Sequence, residues 1–151
     1  MKVAIASDHA GLELKTEIHR LLKERQIEPL DLGTETSGSV DYPDYGTRVA
    51  EAVSAGQVKL GILVCGTGIG MSIVANKFSG VRAALCHDVR TAKTSRQHND
   101  ANILVLGGRV LEDKTALEMV SAWLETRFEG GRHARRVRKI SELEKRTMKR
   151  T

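Results

Sequence analysis

The sequence predicts an α/β protein, a three-layer sandwich built around a five-stranded parallel sheet. Three observations carry this. Five short strand-like runs recur along the chain, and Leu60 to Val64 among them lacks the polar alternation of a strand exposed on one face. Segments between them place apolar residues at helical spacing. The connections are short, and strands alternating with helices in this way fold as a parallel sheet covered on both faces. The 151 residues are read as one domain, 1–151, in which about 134–151 form a basic C-terminal helix and tail.

Val3 to Ala6 is the first buried strand, and Ser7-Asp8-His9-Ala10-Gly11 follows at once. Leu14, Ile18, Leu21 and Leu22 set a helix running to about Arg25. Pro29-Leu30-Asp31-Leu32 is a short second strand closed by Gly33, and the polar, turn-rich segment Thr34 to Pro43 reads as a loop bordering a site. Val49, Ala52 and Val53 mark a helix ending near Gly56. Leu60 to Val64 is the third strand, and Met71 to Lys77 begins the next helix. Val81 to Cys86 is the fourth strand, with His87-Asp88 at its end. A polar helix covers Val89 to Gln97 and is broken by His98-Asn99-Asp100. Ile103 to Leu106 is the fifth strand, followed by Gly107-Gly108-Arg109. Leu117, Val120 and Leu124 give an amphipathic helix stopped near Gly130-Gly131. From Ala134 onward only Val137, Ile140 and Leu143 form an apolar stripe, a pattern suited to packing on a second subunit.

Composition narrows the class. Two Phe, two Tyr and one Trp leave the core to aliphatic residues, and Cys65 and Cys86 each end an apolar run, which does not suggest a disulfide framework. Lys2 opens directly into a short apolar run rather than a signal peptide, and no run approaches a membrane span, so a soluble, cytoplasmic protein is expected. From Gly130 to Thr151 there are nine Lys or Arg against two Glu, whereas the remaining residues carry a slight acidic excess. Basicity belongs to the tail. A nucleic-acid surface is disfavoured because no Phe, Tyr or Trp follows Phe128 to stack on bases.

The chemistry centres on Gly61-Ile62-Leu63-Val64-Cys65-Gly66-Thr67-Gly68-Ile69-Gly70. Cys65 sits where a parallel sheet places its ligands, at the carboxyl end of a strand facing a helix N-terminus. That setting favours a thiolate; the bland alternative is a buried cysteine acting as a small hydrophobe. Asp8-His9, His87-Asp88, His98-Asn99 and Arg109 also fall at strand ends or helix breaks, most of them expected on the same rim. Taken singly, an Asp-His pair is more often a helix cap with a solvated ring. Arg132 and Arg136 share a helix face and, with Arg109 and His9, could hold a phosphate; the competing account is a solvated basic face, the reading given to Lys145, Arg146, Lys149 and Arg150. The glycines imitate a dinucleotide fingerprint, but the third glycine of G-x-G-x-x-G would fall at 71, where Met71 stands. A nicotinamide-dependent oxidoreductase is therefore a minor alternative. No cofactor and no metal are expected.

Ser7-Asp8-His9-Ala10-Gly11, Asp41-Tyr42-Pro43, Cys65 to Gly70, Ala75-Asn76-Lys77, Ser95 to Asp100 and Gly130-Gly131-Arg132-His133 together resemble the ribose-5-phosphate isomerase B family, in the family's order and from Lys2 to roughly Ile140. The resemblance implies a Rossmann-like sheet and metal-independent interconversion of D-ribose 5-phosphate and D-ribulose 5-phosphate through a cis-enediolate. It implies Cys65 as the base between C2 and C1 and His98 assisting ring opening. It implies Thr67 and the turn of Gly66, Gly68, Ile69 and Gly70 around the reacting oxygen. Asp8 with Asn99 would bind hydroxyls, and His9, Arg109, Arg132 and Arg136 the phosphate. Tyr42 beside Gly70 would shape the sugar site. The family's site lies at a dimer interface, so a homodimer or dimer of dimers is implied, with His98, Asn99 and Arg109 entering from the partner and the C-terminal helix at the interface. Allose 6-phosphate, galactose 6-phosphate or a tetrose phosphate are the alternative substrates.

Overall fold

The computed structural model describes residues 1–148. Strands β1 (Lys2–Ser7), β2 (Glu28–Asp31), β3 (Leu60–Cys65), β4 (Ala83–Leu85) and β5 (Ile103–Gly107) form one parallel sheet in the order β2-β1-β3-β5-β4. A 3-10 turn (His9–Gly11) and helices α1 (Leu12–Glu24), α2 (Tyr42–Ser54), α3 (Ile69–Ala75), α4 (Val89–Asn99), α5 (Asp113–Glu125) and α6 (Arg132–Thr147) complete the elements of the described chain. The expected sandwich is the one observed.

Strand alternation sorts the core into two layers. Val3, Ile5, Ile62, Val64, Leu104 and Leu106 face α1, α4 and α5, where they meet Leu14, Ile18, Leu22, Met119 and Trp123. Ala4, Ala6, Leu63, Cys65, Ile103 and Val105 face α2 and α3 and pack with Val49, Ala50, Val53 and Met71. Each fully buried Val, Leu or Ile stabilises by about 1.5–3 kcal/mol, which is why the three central strands tolerate no polar alternation. Cys86 lies in the first layer and Cys65 in the second. Burial pushes the Cys86 thiol up, in keeping with a packing role.

Trp123, the single tryptophan, is fully buried in α5, with the Arg96 guanidinium of α4 5.5 Å from its ring centroid. Its indole N–H finds no acceptor among the described residues.

Several boundaries differ from the sequence reading, each for a local reason. Strand β4 is shorter than Val81 to Cys86: Asn102 Oδ1 takes the Arg82 N–H at 2.8 Å and Asn76 Oδ1 takes that of Ala83 at 2.9 Å. Helix α2 starts at Tyr42, inside the expected loop, because Pro43 fits a first helical turn, where its missing N–H leaves no bond unmade. Helix α4 runs through His98 and Asn99 and ends on Asp100, whose φ of 46° caps it in the left-handed region. Helix α5 ends at Glu125, well before Gly130. His87-Asp88 is a cap: Asp88 Oδ1 accepts the Thr91 N–H at 2.7 Å and the Thr91 hydroxyl at 2.8 Å, and these bonds hold its carboxyl below the usual range. Among the described residues no helix is long and apolar enough to cross a membrane.

Candidate active site

The chain leaves β1 toward β2 on one side, while β3 lies on the other, so a crevice opens beyond their carboxyl ends. Asp8, His9, Cys65 and Arg109 sit in or just after the loops at this rim. Asp8 is buried, and its Oδ1 accepts the N–H groups of Ala10 and Gly11 at 3.0 and 3.1 Å. The cap anticipated for an Asp-His pair is real, but it uses one oxygen of the two. His9 is not a solvated ring. Its Nδ1 accepts the Val40 N–H at 3.1 Å, which assigns the neutral ring's proton to Nε2 and leaves that edge as a donor.

The loop that supplies Val40 is itself anchored. The buried Lys15 ammonium reaches both oxygens of Asp31 at 2.9 Å and the Thr34 carbonyl at 3.0 Å, spending its three donors. The sequence reading missed this clamp. A lysine at a core-facing position of α1, beside Leu14 and Ile18, was its only trace.

Cys65 is 4% exposed, and its Sγ accepts the Gly68 N–H at 3.2 Å. Gly68 has φ of 81°, and a Cβ there would lie 2.5 Å from Leu85 Cδ1, so glycine is required to turn this N–H toward the sulphur. The Ile69 N–H donates to Thr67 Oγ1 at 3.2 Å. Two turn N–H groups are therefore already engaged, whereas the Thr67 hydroxyl proton remains available to an outside acceptor. Tyr42 lies directly over Gly70, where a Cβ would fall 2.5 Å from the phenol Cζ.

The turn after β5 is fastened to the same structure. Gly108 N–H donates to the Cys65 carbonyl at 2.8 Å and Arg109 N–H to that of Gly66 at 3.0 Å. A Cβ at Gly66 would have Arg109 Cδ 3.6 Å away, so the arginine side chain lies against the glycine turn of its own chain. This corrects the grouping of Arg109 with His98 and Asn99.

Those two residues occupy the opposite rim. A helix preceding a parallel strand ends at that strand's amino edge, and Asn99 and Asp100 carbonyls there accept the Nε–H of Arg82, just before β4. The length of β3, roughly 16 Å at about 3.3 Å per residue, separates this edge from Cys65. His98 stacks on His133 with ring centroids 4.1 Å apart and planes 8° from parallel. Burial disfavours protonation of His133, and His98, Arg132 and, more weakly, Arg136 on the first turns of α6 act in the same direction. The expected rim thus divides in two within one chain: Asp8, His9, Tyr42, Cys65 to Gly70 and Arg109 above, His98, Asn99, Arg132 and Arg136 below.

Glu129 completes the lower group, with Oε1 3.8 Å from His98 Nε2 and 3.7 Å from His133 Nε2. Two imidazoles and a carboxylate this close have the composition of a metal site. Ring geometry argues otherwise, because an ion in the plane of one stacked ring must leave the plane of the other. At the far end of α6, Glu144 is not part of a solvated run: its carboxylate accepts the Gly80 N–H at 2.9 and 3.1 Å. Lys145 and Arg146 are exposed as expected, while Lys149 and Arg150 fall outside the described residues.

The two rims carry the residues of a known family. Residues 3–140 match the model described as Ribose/Galactose Isomerase. Ribose-5-phosphate isomerase B of Escherichia coli K12 is 50% identical over 145 residues, covering 96% of this chain and 97% of that protein. A solved ribose-5-phosphate isomerase B from Clostridium thermocellum superposes with a TM-score of 0.96 at 54% identity, over 98% of this chain and 100% of its own. The Mycoplasma genitalium enzyme, solved with bound ribulose 5-phosphate, gives a TM-score of 0.94 at 45% identity over 97% of each chain. The chain belongs to the ribose/galactose isomerase family and is an aldose–ketose isomerase of the ribose-5-phosphate isomerase B type.

Proposed function

We propose that the protein interconverts D-ribose 5-phosphate and D-ribulose 5-phosphate through a cis-enediolate, in a site made when the lower rim of one subunit meets the upper rim of another. The observation that carries this is Cys65 Sγ beneath the Gly68 N–H at the strand switch point, with His98 held on the opposite edge of the same chain. Two half-sites on one subunit complete each other only between subunits related by a closed symmetry.

The roles follow from the groups available. In ring opening the anomeric O1–H loses its proton as the C1–O4 bond breaks and O4 takes one up; His98 carries one of these transfers. Cys65 then removes the proton from C2 and returns it to C1. The negative charge that develops on the sugar oxygens needs fixed donors, and removing one such donor typically costs about 2.7–4 kcal/mol of barrier. The Thr67 hydroxyl and the backbone of Gly66 to Gly70 face that task. Asp8, through the oxygen not used in its cap, and Asn99 take sugar hydroxyls. His9 Nε2–H, Arg109, Arg132 and Arg136 surround the phosphate, whose binding orients carbons remote from it.

Mixing two inactive variants tests the shared site. Cys65→Ala and His98→Asn homodimers should each lack turnover of ribose 5-phosphate. After subunit exchange a mixed dimer carries one intact site, so activity should return to about a quarter of the native level. No recovery despite demonstrated exchange would sink the shared site, and near-normal turnover by Cys65→Ala alone would remove the base.

A further inference from the structure

We propose that Glu129 and His133 are positioning residues for His98, fixing the plane and the working edge of its ring for proton transfer. The inference rests on the reading of His98 as the group that opens the furanose.

His98 lies on the last turn of α4, half exposed, with no hydrogen bond from its side chain among the described residues. An imidazole so placed would ordinarily sample several rotamers, and a proton-transfer group gains from having that freedom removed beforehand. The structure removes it from two directions. His133 is 6% exposed and offers a buried flat surface, on which the His98 ring rests nearly parallel at 4.1 Å. Glu129 places Oε1 almost equidistant from the two Nε2 atoms, and its backbone N–H donates to the Gln97 carbonyl at 3.0 Å. The carboxylate is thereby tied to the helical turn that carries His98.

Charge supports the geometry. Two imidazolium rings stacked at this distance would repel, so the pair works best with a single proton to share. Burial first, then the neighbouring His98 ring and Arg132, hold His133 below the usual imidazole range against the opposing pull of Glu129. The carboxylate of Glu129 then has one cationic ring to serve whenever His98 carries the proton.

The test compares Glu129→Gln, His133→Ala and His133→Phe with His98→Asn, using turnover of ribose 5-phosphate and solvent deuterium exchange into ribulose 5-phosphate. The ketose cannot form a furanose through its phosphorylated O5, so the exchange step does not call on His98. Glu129→Gln and His133→Ala should lower kcat from ribose 5-phosphate about tenfold, with KM and ketose exchange within about twofold. His133→Phe keeps a flat ring and should restore most of what His133→Ala loses. Glu129 is half exposed, so its glutamine variant folds whatever becomes of the buried histidine. Impaired His98→Asn beside wild-type-like Glu129→Gln and His133→Ala would overturn this inference alone. Equal losses on both substrates in these two variants would also overturn it. An unimpaired His98→Asn would overturn the ring-opening role and this inference with it.

Discussion

His9 accepts the Val40 N–H on Nδ1, so a residue beside the β1 turn is oriented by the loop that leads into α2. That loop is pinned in turn through Thr34 to the buried Lys15. The free Nε2 edge of His9 is thus decided by a contact thirty-one residues along the chain.

On the phosphate-binding role proposed for His9, remote from the reacting carbons, His9→Ala should raise KM for ribose 5-phosphate more than it lowers kcat. The size of one hydrogen bond to a charged group, about 1.5–3 kcal/mol, sets the scale. Lys15→Met should raise KM in the same sense without touching the ligand, through the unanchored loop. Steady-state kinetics on both variants check this, and a pure kcat loss would contradict it.

Gly70→Ala and Gly66→Ala make a sharp pair. A methyl group at 70 meets the Tyr42 ring at 2.5 Å, whereas at 66 the nearest atom is 3.6 Å away. Gly70→Ala should force Tyr42 aside and destabilise by about 1–3 kcal/mol. Gly66→Ala should leave the fold's stability close to native. Thermal denaturation distinguishes the two, and Gly70→Ala combined with Tyr42→Ala should recover most of the lost stability.

The pH dependence of stability has a worked sign. His133 titrates below its ordinary value of 6.5 in the folded chain, so the unfolded chain binds more protons as pH falls through that region. Its contribution is present above 6.5 and is lost progressively below it. Asp88 is also depressed, from 3.8, so its contribution persists until the pH falls past ordinary carboxyl values. Melting temperature should therefore decline between about pH 7 and 5, and His133→Phe should flatten that decline while Asp88→Asn leaves it unchanged.

Truncation separates the parts of α6. Among the described hydrogen bonds, ending the chain after Thr147 removes only that of the Met148 N–H to the Glu144 carbonyl and should preserve activity. Ending it after Leu143 deletes Glu144 and frees the Gly80 N–H, which should loosen the helix and lower the melting temperature. Ending it after Gly131 removes Arg132 and Arg136 as well and should abolish activity. Size-exclusion chromatography of the three forms shows whether Ile140 and Leu143, both about half exposed, serve an interface.

The sheet was legible because each central strand is buried on both faces and so reads as an uninterrupted apolar run. Strand β4 was overestimated, since the side chains of Asn76 and Asn102 intercept its backbone donors from distant positions. Cys65, Thr67 and the glycines were legible as a turn, because the glycine at 68 answers a local backbone demand. The division of the rims was harder to read. His98-Asn99 breaks a helix, and a break resembles a strand-end loop until the parallel order of β4 and β5 shows which edge it occupies. The stacking of His98 on His133 joins α4 to α6, and neither local spacing nor periodicity records a contact between such distant segments.

The burial of Trp123 gives the enzyme a built-in optical reporter. One indole emits, it is shielded from solvent, and the cation above it belongs to α4, two residues from His98. Lifting that helix would expose the ring to water and shift its emission to the red. Steady-state fluorescence thus reads the seating of the histidine-bearing helix in the unlabelled native chain, and a stopped-flow trace would time that movement against turnover.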